Sequence, residues 1–252
     1  MGILNVTPDS FSDGGRWASP DAALRHALDM VDQGASIIDV GAESTRPGSS
    51  PVSAEEEISR LRPVLKELIP SIDVPVSVDT MKTEVAEMCI SMGADIINDV
   101  NGLRAPGMAE ACAAADVGVV IMHMPGTMSD VHSQDMNSGF AEEIRDSLRD
   151  LTGRALDAGV RDDRVILDPG IGFGKTVEQN LWILSHSSYF SEGHMVLSGS
   201  SRKRFVAASF PDMDIDEASA EAACIAVDSG ADIVRVHNVA ATVEALGRRI
   251  IR

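Results

Sequence analysis

Eight short apolar runs in this chain each end in, or lead into, a polar group able to do chemistry. Asn5 follows the first run, and Glu43, Ser44, Thr45 and Arg46 follow the second. Asp79 closes the third, Asn98 and Asp99 the fourth, and His123 the fifth. Asp168 closes the sixth, Ser201, Arg202 and Lys203 follow the seventh, and Arg235 and His237 close the eighth. Carboxylates accept hydrogen bonds, amides both donate and accept, and cations attract anions. Such groups are costly at the mouth of an apolar core unless a partner satisfies them. Taken singly, each has a plain structural reading. Asp79 or Asp99 would cap a helix, and Asp168 before Pro169 and Gly170 would sit in a turn. His123 would be a satisfied core histidine and Arg46 a solvated loop charge. Their convergence on one end of one sheet predicts an active site.

The segment DPGIGFGK, Asp168 to Lys175, looks like a glycine loop for anions. It is not a Walker A motif, because Pro169 stands where the first Gly of G-x-x-x-x-G-K-[ST] belongs. Two further loops, Thr7 to Gly15 and Glu43 to Ser50, are rich in Gly, Ser and Pro. Loops placed just after strands one and two commonly act as lids over substrate.

The elements that must position these groups alternate along the chain. Strands are predicted at Gly2–Val6, Ser36–Val40, Pro75–Asp79, Asp95–Asp99, Val117–Met122, Arg164–Asp168, His194–Ser198 and Asp232–Val236. Their nearly continuous apolar character is that of parallel strands buried on both faces. Helices are predicted over 20–33, 53–69, 83–92, 106–115, 139–158, 177–186, 201–208, 217–229 and 239–251. Ser19 and Pro20 open the first, and Ser53 with Glu56 spells a capping box for the second. GASIIDV at Gly34, GADIIND at Gly93 and GADIVRV at Gly230 repeat one device, a glycine closing a helix just before a strand. Eight strands alternating with helices predict a (β/α)8 barrel, one domain over residues 1–252, and about 250 residues is the usual size of that fold. An open doubly wound sheet is the alternative fold, but no G-x-G-x-x-G follows the first strand.

Composition narrows the function. The net charge is −18, which argues against nucleic acid and anionic membranes as partners, though a few cations focused in one cleft still attract a small anion. Cys89, Cys112 and Cys224 form no disulfide or metal spacing and are expected to be buried thiols. No signal peptide is apparent, and no apolar run reaches the roughly 18 residues of a membrane span, so the cytoplasm is the expected compartment. The first strand pattern starts at Met1, without the leading segment that plugs many barrels, which fits a chain shortened at its start.

In order, the segments MGILNVTPDSFSDGG, DVGAESTRPGS, SVDT, IINDV, MH, LDPGIGFGK, SRK and RVH resemble the dihydropteroate synthase family. The match runs from Met1 to the last helix. The resemblance implies condensation of 6-hydroxymethyl-7,8-dihydropterin diphosphate with 4-aminobenzoate, release of diphosphate, use of Mg²⁺ and binding of sulfonamides. It implies a pterin pocket of Asp79, Asn98, Asp168 and Lys203, supported by Asp99. It gives diphosphate to Asn5, Thr45, Arg46, Arg235 and His237, and Mg²⁺ to the Asn5 amide oxygen. Asp13 would stabilise the cation left after diphosphate departs. The aminobenzoate would lie near Phe11, Thr45, Pro47 and Phe173, its carboxylate at Ser201. The family is commonly dimeric, so a homodimer is expected.

The chain departs from the family pattern at Ala42 and at Asn238, and it lacks the customary Gly in ASAEAAC. Two other readings compete. A methyltetrahydrofolate-binding methyl-transfer domain would lack the TRPGS loop and the SRK lysine, and both are present. A non-catalytic pterin-binding paralogue would be marked by loss of Asn5, Arg46 or Lys203, and all three remain.

Overall fold

Local signals decide where the helices begin. The computed structural model describes residues 1–7, 19–44, 51–126, 136 and 138–250. Ser19 Oγ accepts the Ala22 N–H at 3.3 Å and opens helix α1 (Pro20–Asp32). Ser53 caps α2 (Ala54–Leu68) through the Glu56 N–H at 3.2 Å. The reciprocal half of that capping box is not made, because the Glu56 carboxylate pairs with Arg60 instead. A complete box opens α6 (Val177–Leu184), between Thr176 and Gln179. The other helices are α3 (Thr83–Met92), α4 (Met108–Ala115), α5 (Phe140–Asp157), α7 (Arg204–Ser209), α8 (Ile215–Asp228) and α9 (Val239–Ile250).

The strands are β1 (Gly2–Asn5), β2 (Ile38–Gly41), β3 (Val76–Asp79), β4 (Ile96–Asp99), β5 (Gly118–Met122), β6 (Val165–Asp168), β7 (Met195–Ser198) and β8 (Ile233–Val234). They pair in parallel in chain order. The ring then closes: Ile3 N–H donates to Val236 O at 3.0 Å, and Val236 N–H to Met1 O at 3.0 Å. Closure rules out the open-sheet alternative. The glycines of the repeated device, Gly34, Gly93 and Gly230, have φ of +102°, +105° and +99°, the left-handed geometry that lets a helix turn directly into a strand.

Several predicted bounds shift. Strand eight shortens to Ile233 and Val234, with the Asp232 carboxylate just before it taking the Val196 N–H at 2.8 Å. Helix four starts after Gly107, whose φ is +81°. The seventh helix starts at Arg204 rather than Ser201, because Arg202 turns the chain at φ +56°.

The period-two alternation of strands sorts the barrel into layers. Val40, Val78, Ile97, Val119, Ile121 and Leu167 point outward into the main core beneath the helices. Ile96, Val120, Ile166 and Leu197 point inward and, with Met1, Ile37 and Ile233, plug the lower barrel with apolar side chains. Two residues further along the same inward faces stand Asn98, Met122, Asp168 and Arg235. The same alternation that fills the bottom with hydrocarbon therefore delivers polar groups to the top. Cys89, Cys112 and Cys224 are free, buried thiols, and burial pushes the first two up to about 12.

Candidate active site

The upper barrel is organised around Arg235, just beyond β8. Its Nε donates to Asp39 Oδ2 at 2.6 Å, and its Nη2 to Asp79 Oδ2 at 2.8 Å. Asp39 is fully buried. It also accepts the Ser77 hydroxyl at 2.6 Å and the Asn98 amide at 3.3 Å. One guanidinium and one carboxylate thus tie β2, β3, β4 and β8 together. Burial raises the Asp79 carboxyl to about 7; Arg235 opposes the shift and the Asp39 charge adds to it.

Asp168, at the end of β6, faces the same space. Its Oδ1 accepts the Gly170 N–H at 2.7 Å. Burial raises its pKa, against the pull of Lys203, the Gly170 N–H, Lys175 and Arg235. Lys203 reaches in from the start of α7. Its Nζ donates to Ile171 O and stands 4.7 Å from the centre of the Phe173 ring, a cation–π arrangement. Burial lowers its pKa to about 8, while the Asp168 charge holds the proton on. Arg235 is tied to Asp79, while Lys203 and Asp168 both bond the turn at Gly170 and Ile171, so the ends of β3, β6, β7 and β8 bring these four to one barrel mouth. Phe173 packs on Val100, Met122 and Met124. Beside them, the Ser201 hydroxyl lies 3.0 Å from His237 Nδ1 and accepts the His237 N–H at 3.1 Å. The Asn238 side-chain oxygen caps α9 through the Ala241 N–H at 3.0 Å, a structural use of that departure from the family pattern.

Two residues stand behind the rim. Asp99 shares the outward face of β4 with Ile97, and its carboxylate is taken by the N–H groups of Asn101 at 2.7 Å and Leu103 at 2.9 Å. Asp99 therefore does not cap the next helix, which starts only at Met108; it holds the turn between. His123 follows Ile121 on the outward side of β5 and is buried. Glu43 is likewise spent locally, on the Val52 N–H at 3.0 Å and on Lys82. Lys82 also reaches buried Glu57 at 2.6 Å. Asp13, Phe11, Thr45, Arg46 and Pro47, and most of the two loops that carry them, lie outside the described residues.

The glycine loop has the polarity opposite to an anion cradle. The N–H groups of Gly170 and Gly172 are spent on Asp168 and on Asn180 Oδ1, at 2.7 and 2.6 Å. The carbonyls of Gly170, Ile171 and Phe173 converge on the ammonium groups of Lys175 and Lys203. Sequence reasoning missed Asp39 and Lys175. The signal for Asp39 was present: a carboxylate inside the apolar run IIDV has to be paired. Lys175 gives no such signal, since a lysine before a helix reads as a surface charge.

For a metal, the donor set is sparse. The Asn5 side-chain oxygen lies beside Gly41, 3.8 Å from the point a Cβ there would occupy, with the Asp79 carboxylate at the same distance. Among the described residues no three His, Cys, Asp or Glu gather as metal ligands. One hard amide oxygen suits Mg²⁺, which keeps its waters and takes most other ligands from a substrate phosphate.

The profile of the family described as pterin binding enzyme matches residues 1–237. A dihydropteroate synthase of Bacillus subtilis (strain 168) is 44% identical over 243 residues, covering 95% of this chain and 83% of that protein. The Xanthomonas albilineans dihydropteroate synthase with 4-aminobenzoic acid superposes with a TM-score of 0.91 at 41% identity, covering 100% of this chain and 91% of that one. The Yersinia pestis dihydropteroate synthase in a sulfonamide drug complex gives 0.93 at 40% identity, covering 100% and 92%. With its closed barrel and its rim of carboxylates, amide and cations, this chain belongs to the dihydropteroate synthase family of pterin-binding enzymes.

Proposed function

We propose that the chain joins 6-hydroxymethyl-7,8-dihydropterin diphosphate to 4-aminobenzoate, forming 7,8-dihydropteroate and diphosphate. The carrying observation is the cluster of Asp79, Asn98, Asp168, Lys203 and Arg235 at one barrel rim, in a chain of this family. The pterin edge presents N–H donors, a ring carbonyl and ring nitrogens. Asp79 and Asp168 accept from the donors, Asn98 donates and accepts, and Lys203 donates to the carbonyl side. Phe173 and the Lys203 stem flank the second substrate, and Ser201 takes its carboxylate.

Breaking the C–O bond sends the electron pair to the diphosphate oxygen and leaves a cation on the pterin methylene. Stabilising that departing anion is the main catalytic task. Arg235 spends Nε and Nη2 on Asp39 and Asp79, which leaves Nη1 to turn toward the diphosphate, with His237 and Arg46 adding charge. Asp13 faces the cation. The arylamine nitrogen then forms the C–N bond and releases its proton to solvent. Asn5 would hold Mg²⁺, which supplies positive charge to the diphosphate when bound. The two loops exclude water, which would otherwise capture the cation. The chain works as one barrel domain over residues 1–252, in the cytoplasm and as a homodimer. Among the described residues, no helix is long and apolar enough to cross a membrane.

A coupled diphosphate-release assay tests this reading. Release is expected only with both substrates present, matched by dihydropteroate formation, stopped by chelation and restored by Mg²⁺. Folded protein that binds the pterin yet forms no product would establish the non-catalytic paralogue instead. Pterin binding tests the pocket separately. Lys203→Ala and Asp79→Ala are each expected to weaken it by about 1–3 kcal/mol, the cost of leaving a buried polar partner unpaired. Unchanged affinity by calorimetry would remove these residues from the pocket.

A further inference from the structure

Behind the rim, on the helix side of the barrel, sits a group that the reaction never touches. Lys175 Nζ donates to Gly170 O and Phe173 O, both at 2.9 Å, and lies 3.2 Å from His123 Nδ1. Three N–H donors meet three acceptors, so the ammonium is saturated. An ammonium only donates, so Nδ1 must present its lone pair, and the His123 proton sits on Nε2. Among the described residues no carboxylate forms an ion pair with Lys175. A cation held by neutral acceptors alone is an unusual use of a lysine, and it calls for a reason.

The two carbonyls supply that reason. They belong to the turn that begins at Asp168, which Phe173 N–H closes onto Gly170 O at 3.1 Å. One end of the turn carries the Asp168 carboxylate, fixed by the Gly170 N–H. The other carries Phe173, whose ring lies under Lys203. The turn is pressed backbone to backbone on the end of β5, where His123 N–H donates to Asp168 O at 2.9 Å. His123 therefore joins this turn twice, through its backbone and through its ring.

We propose that Lys175 is a positioning residue for the reaction: pinned by His123, its ammonium clamps the Gly170–Phe173 turn and sets a positive charge behind Asp168. The inference rests on the synthase reading, in which Asp168 must be an anion to accept pterin N–H groups. The charged groups facing this unit are few. Lys175, Lys203 and Arg235 act on Asp168; Asp168, Lys203 and Glu143 act on Lys175; Lys175 and Arg104 act on His123. Burial pulls Lys175 down to about 7, and the Asp168 charge opposes it. Burial first, then the Lys175 charge, keeps the imidazole well below its usual range and so neutral, as the clamp requires.

The test follows the ¹³C carboxyl resonance of Asp168 against pH in the ligand-free protein, with pterin affinity measured on both sides of the value of about 7 at which Lys175 loses its charge. Lys175→Met is near-isosteric but cannot donate or carry charge. It is expected to raise the Asp168 midpoint by about one pH unit, the usual effect of losing a nearby opposite charge. It is also expected to weaken pterin binding on the order of tenfold. His123→Asn keeps an acceptor near the Nδ1 position and should retain both properties, whereas His123→Leu should move both as Lys175→Met does. An unmoved Asp168 midpoint in folded Lys175→Met, or equal behaviour of the two His123 variants, overturns the proposal. Should Lys175→Met fail to fold, the two His123 variants decide it alone. If the unaltered protein binds no pterin, the synthase reading falls, while the ligand-free titration still judges Lys175.

Discussion

Arg235→Met is expected to lower synthase turnover on the order of 10³-fold or more, and to destabilise the protein by about 3–5 kcal/mol. Two roles coincide in this side chain. In the synthase reading proposed above it is the cation bound to Asp79 that faces the departing diphosphate. Structurally its guanidinium bridges Asp39 and Asp79, and Asp39 is wholly buried. Methionine fills similar volume but strands two carboxylates that have lost their counter-charge. Ser77 and Asn98 would keep their hydrogen bonds to Asp39, so the loss falls mainly on charge. The double variant Asp39→Asn/Arg235→Met separates the roles. It is expected to regain much of the stability in urea titrations while regaining none of the turnover. A double variant as inactive and as unstable as the single one would show that the bridge contributes little.

Gly170→Ala is expected to be the most damaging small substitution in the glycine loop. A Cβ there would lie 1.9 Å from the His123 carbonyl oxygen, a backbone atom with no side-chain freedom to retreat. The residue also holds φ at +72°, where an L side chain is strained. Together these are expected to cost on the order of 3 kcal/mol or more. Pterin affinity should fall with stability, because Asp168, the Lys175 clamp and Phe173 share that turn. Gly153→Ala is the internal control. It lies inside α5, in the turn before its last residues, with nothing within 4 Å of the added methyl. Helix propensity alone should make it more stable, by up to about 1 kcal/mol. Thermal melts of the pair measure the contrast; equal melting temperatures would show that the β5 end yields to the methyl group.

The amino-acid order by itself determined the strand and helix sequence, and with it the barrel. Apolar runs at strand length, helix caps such as Ser19, and the Gly-Ala devices at Gly34, Gly93 and Gly230 are local signals, and each acts within a few residues of itself. The polar rim was legible for the same reason. Asp79, Asn98, Asp168 and Arg235 each interrupt an apolar pattern at a strand end, and a polar group in such a place needs a partner.

What tertiary structure alone decided is which partner. Asp39 belongs to Arg235, 196 positions away, and no local pattern carries that pairing. Asp99 differs from Asn98 by one residue yet faces the opposite side of the strand, so one lines the cleft and the other holds a turn. The DPGIGFGK segment looked like an anion loop, but its φ values turn the carbonyls inward and make it a seat for ammonium groups. Direction of a hydrogen bond depends on backbone torsion and on what approaches from elsewhere in the chain, and neither is written in residue type.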